Sequence, residues 1–535
     1  MTSTARTART AETPAPTPLP GPWDTRLPVG FAVELAADAH RSRDGRLLLG
    51  GAPPRLLRLG PTAARLLDGG RFTVTGPTSA ALARRLLDTG VVHPRPPAGA
   101  VPARPENGTE NAHTTVVVPA RGRAGLVDRL LARLRADPQT ARLPVVVVDD
   151  GSREPAALAR AAARHGATLL SHPRNLGPAA ARNTGLRHAT TPYLAFLDSD
   201  VAPEPGWLAP LLAQFADPAV ALAAPRIIAA PLGPGVRRGV LDRYEAVRSP
   251  LDMGPREGPV VPLSALAYVP SATLVVRRAA LGAGFDHRLR VAEDVDLCMR
   301  LYAAGWRLRY VPGATVGHHH RTGLRGWLGQ RAGYGTGAAE LALRHPGQVP
   351  PLHAAPWSVA ACALLLRGRP LPAAAAVALT GVTAARLARR MPDADTPVRA
   401  AALLTLAGLR GTAEQLLRCA TRHHWPLALA AGAASRRARR VLLAAALAEG
   451  LLDHRRAASG LDPLTHVAVR RLDDFAYGWG VWRGALRRRT AGPLLPRIVR
   501  AATVPARRPA GGRSAPSRQA ARPAHQPSAN LPAPH

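Results

Sequence analysis

At 535 residues the chain has room for two or three domains with sizeable buried cores. Its three cysteines, Cys298, Cys362 and Cys419, are scattered, which excludes a disulfide framework and a zinc site. A net charge of +36, carried by 71 basic residues that are all arginine, implies attraction to polyanions without choosing among nucleic acid, anionic lipid and phosphate-bearing small molecules.

Residues 1–22 read as a disordered leader, rich in Thr, Ala and Pro and lacking the apolar core of a secretory signal, so the bulk of the chain is expected in the cytoplasm. Residues 23–97 form a small module with a Gly-rich turn and two expected helices, one near "PTAARLL" and one over "TSAALARRLLDTG", where Gly90 stops the run. A Pro/Gly/Ala linker occupies 98–113. From Thr114 the pattern changes to short β-branched runs ("TTVVV", "PVVVV") alternating with helix-like segments, then "ATLL", "GPAAARNTGLRHA" and "YLAFL". This βαβ rhythm over 114–349 predicts a doubly wound α/β sheet, in which ligands bind beyond the C-terminal ends of the strands. Asp149, Asp150, Asp198 and Asp200 all fall on that rim.

Residues 350–490 are Ala/Leu-rich and punctuated by arginine, predicting an all-helical region. Two nearly uncharged runs, Ala354–Leu366 and Leu371–Ala385, fall short of the ~20 residues that span a bilayer. With the Arg clusters at 436–440 and 487–489 they fit helices lying on an anionic membrane surface, or a soluble bundle packed by Ala and Leu. Residues 491–535 read as a disordered tail.

Four strings carry chemistry. "VVVVDDGS" ends a strand in two acids and a Gly turn, suited to a nucleoside, although such a turn also serves simply to leave a strand. "NLGPAAARNTGL" opens a helix whose first amides suit a phosphate, with Arg182 one turn inside. "DSD" sets Asp198 and Asp200 on one side of an extended chain, in reach of one hard divalent cation. In "VAEDVDLCMRLYAAGW", Glu293 and Asp294 start a helix whose dipole favours acids in its first turn.

The order and spacing of these strings through 114–325 resemble the family 2 inverting glycosyltransferases of the GT-A fold. The flanking "LPVGFAVELAADAHRSRDGRLLLGG", "RHHWPLALAAGAASRRARR" and "LDDFAYGWGVWRGALRRR" are similar to the glycosyltransferases of the mycofactocin system. The resemblance implies a nucleotide-sugar donor, a uridine diphosphate sugar such as UDP-glucose, and Mn2+ or Mg2+. It implies Pro119, Asp149, Asp150, Asn175, Gly177, Arg182, Asn183 and Asp198 at the donor, and Asp198, Asp200 and His318 at the metal. Asp294 would be the general base, with Glu293 beside it. The implied acceptor is premycofactocin, extended as a β-1,4-glucose chain. A fainter resemblance makes the N-terminal module a winged-helix-like binder of a precursor peptide or pathway enzyme. Gln330-Arg331 in "WLGQRAGYG" departs from the Gln-x-x-Arg-Trp of processive polysaccharide synthases.

Three other readings remain: an enzyme of cell-envelope polysaccharide or glycolipid synthesis, a nucleotidyltransferase, and a non-enzymatic basic membrane or nucleic-acid binder. The last lacks zinc-ligand spacing and stacking aromatics, so no nucleic-acid partner is expected. The cytoplasmic face of the membrane is the expected location.

Overall fold

The computed structural model describes residues 19–22, 24–96, 113–231, 238–321, 323–392 and 394–499. Almost all of the leader, the linker and the tail from residue 500 lie outside the described residues. Residues 491–499 do not follow the disordered reading: Arg497–Ile498 pairs in parallel with His353–Ala354, and a short 3-10 turn, Gly492–Leu494, precedes it.

The module at 24–96 contains two three-stranded antiparallel sheets and the two expected helices, Pro61–Leu66 and Pro77–Thr89. Gly90 ends the second in the left-handed conformation, as a C-terminal stop requires. Arginine-carboxylate pairs hold the module to the α/β domain: Arg84 on Asp217 at 2.6 Å, Arg95 on Glu257 at 2.5 Å and Arg307 on Asp88 at 2.8 Å.

The core of residues 113–321 is a nine-stranded sheet. Thr114–Ala120, Val145–Asp150, Thr168–His172 and Tyr193–Leu197 form its parallel half, the first two and the last largely buried between helical layers and Thr168–His172 a partly exposed edge. Beyond Tyr193–Leu197 the sheet becomes mixed: Thr273–Arg277 runs antiparallel to it, followed by Val220–Ala229 and the long Arg307–His318. In Val220–Ala229 the run Ala221–Ala224 carries little strand signal, and it is a strand because neighbours pair with it on both sides. The helix Glu293–Ala303 packs Leu297 and Leu301 into the core below the rim.

The C-terminal region is helical throughout its main length, from Pro356–Leu366 to Pro463–Arg488. Its attachment to the core is a pair of long helices, Leu324–Arg344 and Pro463–Arg488, that approach to backbone contact. A Cβ at Gly335 would fall on the Tyr477 carbonyl oxygen, and one at Gly480 on that of Ala332. Beside this seam, Arg331 joins Glu245 and Asp473, and Trp327 Nε1 donates to Glu245 at 2.6 Å. The second apolar run is longer than read from the sequence. Pro370–Arg389 is a 20-residue helix, and it is long and apolar enough to cross a membrane. The arginines at its C-terminal end extend the helix past the uncharged stretch.

The seam sets a stability expectation. Gly480→Ala forces the two helices apart and lowers stability by ~1–3 kcal/mol. Gly329→Ala, on the same helix pair but with open space at its Cβ position, leaves stability equal or slightly higher. Urea unfolding of the two variants beside the parent protein checks the contrast.

Candidate functional site

The rim of the sheet opens into a cavity of about 1820 Å3. Most of the carboxylates read from the sequence reach it, but several are engaged by the protein itself.

Asp149 is a loop-holding residue, contrary to its expected place at the donor. It is buried and does not line the cavity; its Oδ1 accepts from the Ser152 amide at 2.9 Å and the Ser152 hydroxyl at 2.5 Å. Asp150 lines the cavity, yet its carboxylate accepts from the amides of Leu176 and Gly177, both at 2.8 Å, and meets His172 Nδ1 at 2.9 Å. It therefore shapes the "NLG" loop, bringing Asn175 and Gly177 to the wall opposite Pro119. Asn183 is also structural: its amide exchanges two hydrogen bonds with the Phe285 backbone, at 2.7 and 2.9 Å, away from the cavity.

Arg182 differs most from expectation. Instead of standing free for a phosphate, its guanidinium is buried between two carboxylates, donating to Asp198 at 2.6 Å and Glu293 at 2.8 Å. One fork thus joins the helix Pro178–His188, the end of Tyr193–Leu197 and the helix Glu293–Ala303. Burial raises the Asp198 carboxyl; Arg182 opposes that and the charge of Asp200 adds to it.

Asp200 faces His318 and Arg123, with Oδ1 3.4 Å from His318 Nε2 and Oδ2 accepting from Arg123 Nη1 at 2.9 Å. Against burial, these partners hold Asp200 below the usual carboxylate range. His318 ends the strand Arg307–His318, pairing with Val201, so only the first of the three histidines is set by strand register. The expected trio of metal ligands is not assembled as three, because Asp198 turns to Arg182. Among the described residues no three His, Cys, Asp or Glu side chains form a metal cage. An oxygen of Asp200 beside a His318 nitrogen nonetheless fits a divalent cation that takes its other ligands from phosphate oxygens.

Glu293 and Asp294 diverge at their helix start. Ala292, before them, has φ +64°, a left-handed conformation that costs an alanine about 1 kcal/mol, and the two acids, as successive helix residues, project about 100° apart. Glu293 is buried on Arg182 and pushed up to about 7 by burial and by the charge of Asp294. Asp294 is half-buried at the cavity wall, accepting from the Ser271 amide at 3.0 Å.

Arg123, also left-handed at φ 54°, and the phenols of Tyr268, Tyr334 and Tyr477 join the site without having been read from the sequence. "RGR" after a strand carries no distinguishing pattern, and the tyrosines come from separate segments that only the fold brings together. Gly51 to Pro54 of the N-terminal module and Arg422 and His423 of the C-terminal region complete the walls.

A family model described as Glycosyl transferase family 2 matches residues 115–280. The chain is 45% identical over 484 residues to the "Pre-mycofactocin glycosyltransferase" of Mycobacterium tuberculosis (strain H37Rv), covering 89% of this chain and 99% of that protein. It is 31% identical over 213 residues to the "Succinoglycan biosynthesis protein ExoU" of Rhizobium meliloti, covering 37% of this chain and 58% of that one. A solved mannosyltransferase from Pyrobaculum calidifontis, in complex with GDP-Man and Mn2+, aligns at 20% identity and a TM-score of 0.36, over 67% of this chain and 87% of that chain.

Because Glu293 holds its proton more tightly in the folded chain, its contribution to stability is full below about 4.5 and is lost as pH rises towards about 7. Glu293→Gln removes that loss. Urea denaturation at about pH 5 and about pH 8 is expected to show the parent protein losing stability, by an amount of order 3 kcal/mol, relative to the variant.

Proposed function

Since the chain belongs to the pre-mycofactocin glycosyltransferases of glycosyl transferase family 2, we propose that it transfers glucose from UDP-glucose to premycofactocin, with inversion, and extends the product as a β-1,4-linked chain. The observation that carries this reading is the single cavity in which Asp200 and His318 stand at the strand rim while Asp294, on the Glu293 helix, lines the wall.

In the proposed reaction the acceptor oxygen attacks the anomeric carbon as its bond to the diphosphate breaks, and uridine diphosphate leaves with that electron pair. Asp294 takes the acceptor proton. Its side chain is open to the cavity, whereas Glu293 is engaged by Arg182. Single displacement inverts the anomeric centre. Asn175 and Gly177 border the donor, and Arg182 keeps Asp198 in position beside it. A divalent cation on Asp200 and His318 would neutralise the departing diphosphate.

Asp294→Asn keeps the shape of the site and removes the proton acceptor. Transfer is expected to fall ~10²–10⁴-fold while nucleotide and manganese still bind. Asp200→Ala should instead weaken metal-dependent nucleotide binding. Calorimetry with uridine diphosphate and manganese, paired with a transfer assay, reads both; full transfer by Asp294→Asn rejects the base assignment.

We also propose that the helical region lies on the cytoplasmic face of an anionic membrane. Leu366, Leu371, Val377, Leu403 and Leu427 are exposed, arginines 367 and 369 border them, and Pro370–Arg389 has length for insertion. The triple variant Leu366→Glu, Leu371→Glu, Leu403→Glu is expected to bind phosphatidylglycerol vesicles about tenfold less than the parent protein, with donor hydrolysis unchanged. Equal sedimentation of both with vesicles rejects this placement.

A further inference from the structure

We propose that the part of the cavity walled by the C-terminal helices is a saccharide subsite, which holds sugar hydroxyls already on the acceptor while the next hydroxyl faces Asp294. The inference rests on the glycosyl-transfer reading and adds to it where the acceptor lies and what chemistry recognises it.

Size is the first argument. A pocket for one small ligand encloses ~300–1,000 Å3, and this cavity, at about 1820 Å3, has room for two. The donor reading uses the strand rim. Gln348, His353, Gln415, His423 and Tyr477 line the remainder, all of them beyond the 115–280 segment that matches the family model.

That wall is rich in hydrogen-bonding groups, and its Arg331, Arg422 and Arg470 are paired with Glu245, Asp474 and Glu449. Tyr268, Tyr334 and Tyr477 line the cavity together with Asp294, and burial, then the charge of Asp294, raises the Tyr268 phenol. Burial pushes Tyr334 up to about 12. Arg422 lies 3.9 Å from the Tyr477 ring centre and bonds Asp474 at 3.2 Å, so its charge is already compensated. His423 is held down at about 3 by burial and by Arg422, and its ring meets the Tyr477 ring edge-on at 5.8 Å.

Three buried atoms on this wall lack a hydrogen-bond partner among the described residues: Gln348 Oε1, His353 Nδ1 and His423 Nδ1. An apolar acceptor would leave each unpaired, at ~1–3 kcal/mol apiece. A second diphosphate would find no uncompensated cation there to meet it. Hydroxyls satisfy all three, and the half-buried phenols of Tyr268 and Tyr334 line the same cavity. The backbone supports the assignment. Cys419–His423 is a π-helical turn, a local widening that recurs at functional sites, and Trp482 Nε1 anchors it by donating to the His423 carbonyl at 2.7 Å.

The test measures cellobiose binding to the full-length protein by saturation-transfer NMR, in the parent, His423→Ala and Gln348→Ala, alongside water-driven release of uridine diphosphate from UDP-glucose. We expect cellobiose signals in the parent that fall at least fivefold in both variants, with nucleotide release within about twofold of the parent, which also reports an intact fold. Signals equal in all three proteins, or none in the parent, overturn the subsite. Signals that depend on His423 and Gln348 in a protein that releases no nucleotide from UDP-glucose or other sugar nucleotides retain the subsite and reject the glycosyl-transfer reading instead.

Discussion

The Arg182 guanidinium, buried between Asp198 and Glu293, is the interaction on which the site depends. Two carboxylates from distant parts of the chain cannot sit side by side in a low-dielectric rim without a cation between them. A planar donor fork supplies that cation in a fixed orientation, which a flexible ammonium would not. Burial lowers the affinity of any guanidinium for its proton, but the two carboxylates outweigh that and raise it. The strand rim and the helix that starts with the two acids are thereby held at one separation.

The same use of arginine recurs through the interior. Asp296 is fully buried and meets Arg300, Arg344 and His345, while Glu449 takes Arg470 and Arg471. Much of the positive charge is therefore internal structure. Exposed arginines are spread over the described chain, as at Arg65, Arg129 and Arg160, and include Arg367 and Arg369 beside exposed leucines. A global net charge conveys neither fact, which is why it could not choose between polyanions and lipid.

The parallel half of the sheet was legible because Val116 to Val118 and Val145 to Val148 are unbroken β-branched runs, a pattern few other structures satisfy. The mixed half was not, since alanine at 221, 223 and 224 carries no strand signal and pairing is imposed by neighbours. Among the site residues, spacing placed the acids on the rim but could not tell which of two adjacent carboxylates points outward. Asp149 and Asp150 occupy successive positions on a strand and face opposite ways, so one holds a serine turn while the other reaches the cavity. Glu293 and Asp294 divide because successive helix residues project about 100° apart, and which of them faces Arg182 depends on how the helix is seated, which has no marker in the residues themselves.

The backbone contact at Gly335 and Gly480 has a mechanical meaning. Gly337, half a turn along the same helix, abuts Ala292, the residue that launches Glu293 and Asp294. Gly337 against Ala292 and Gly335 against Gly480 thus link the start of the Glu293–Ala303 helix to the C-terminal bundle through contacts with almost no side chain in them. Side chains in a packed layer can slide and change rotamer, whereas peptide groups in contact transmit displacement without slack. The two long helices act as a stiff strut. Whatever surface the bundle stands on, the height of the Asp294 carboxylate above it is fixed by the chain's own backbone.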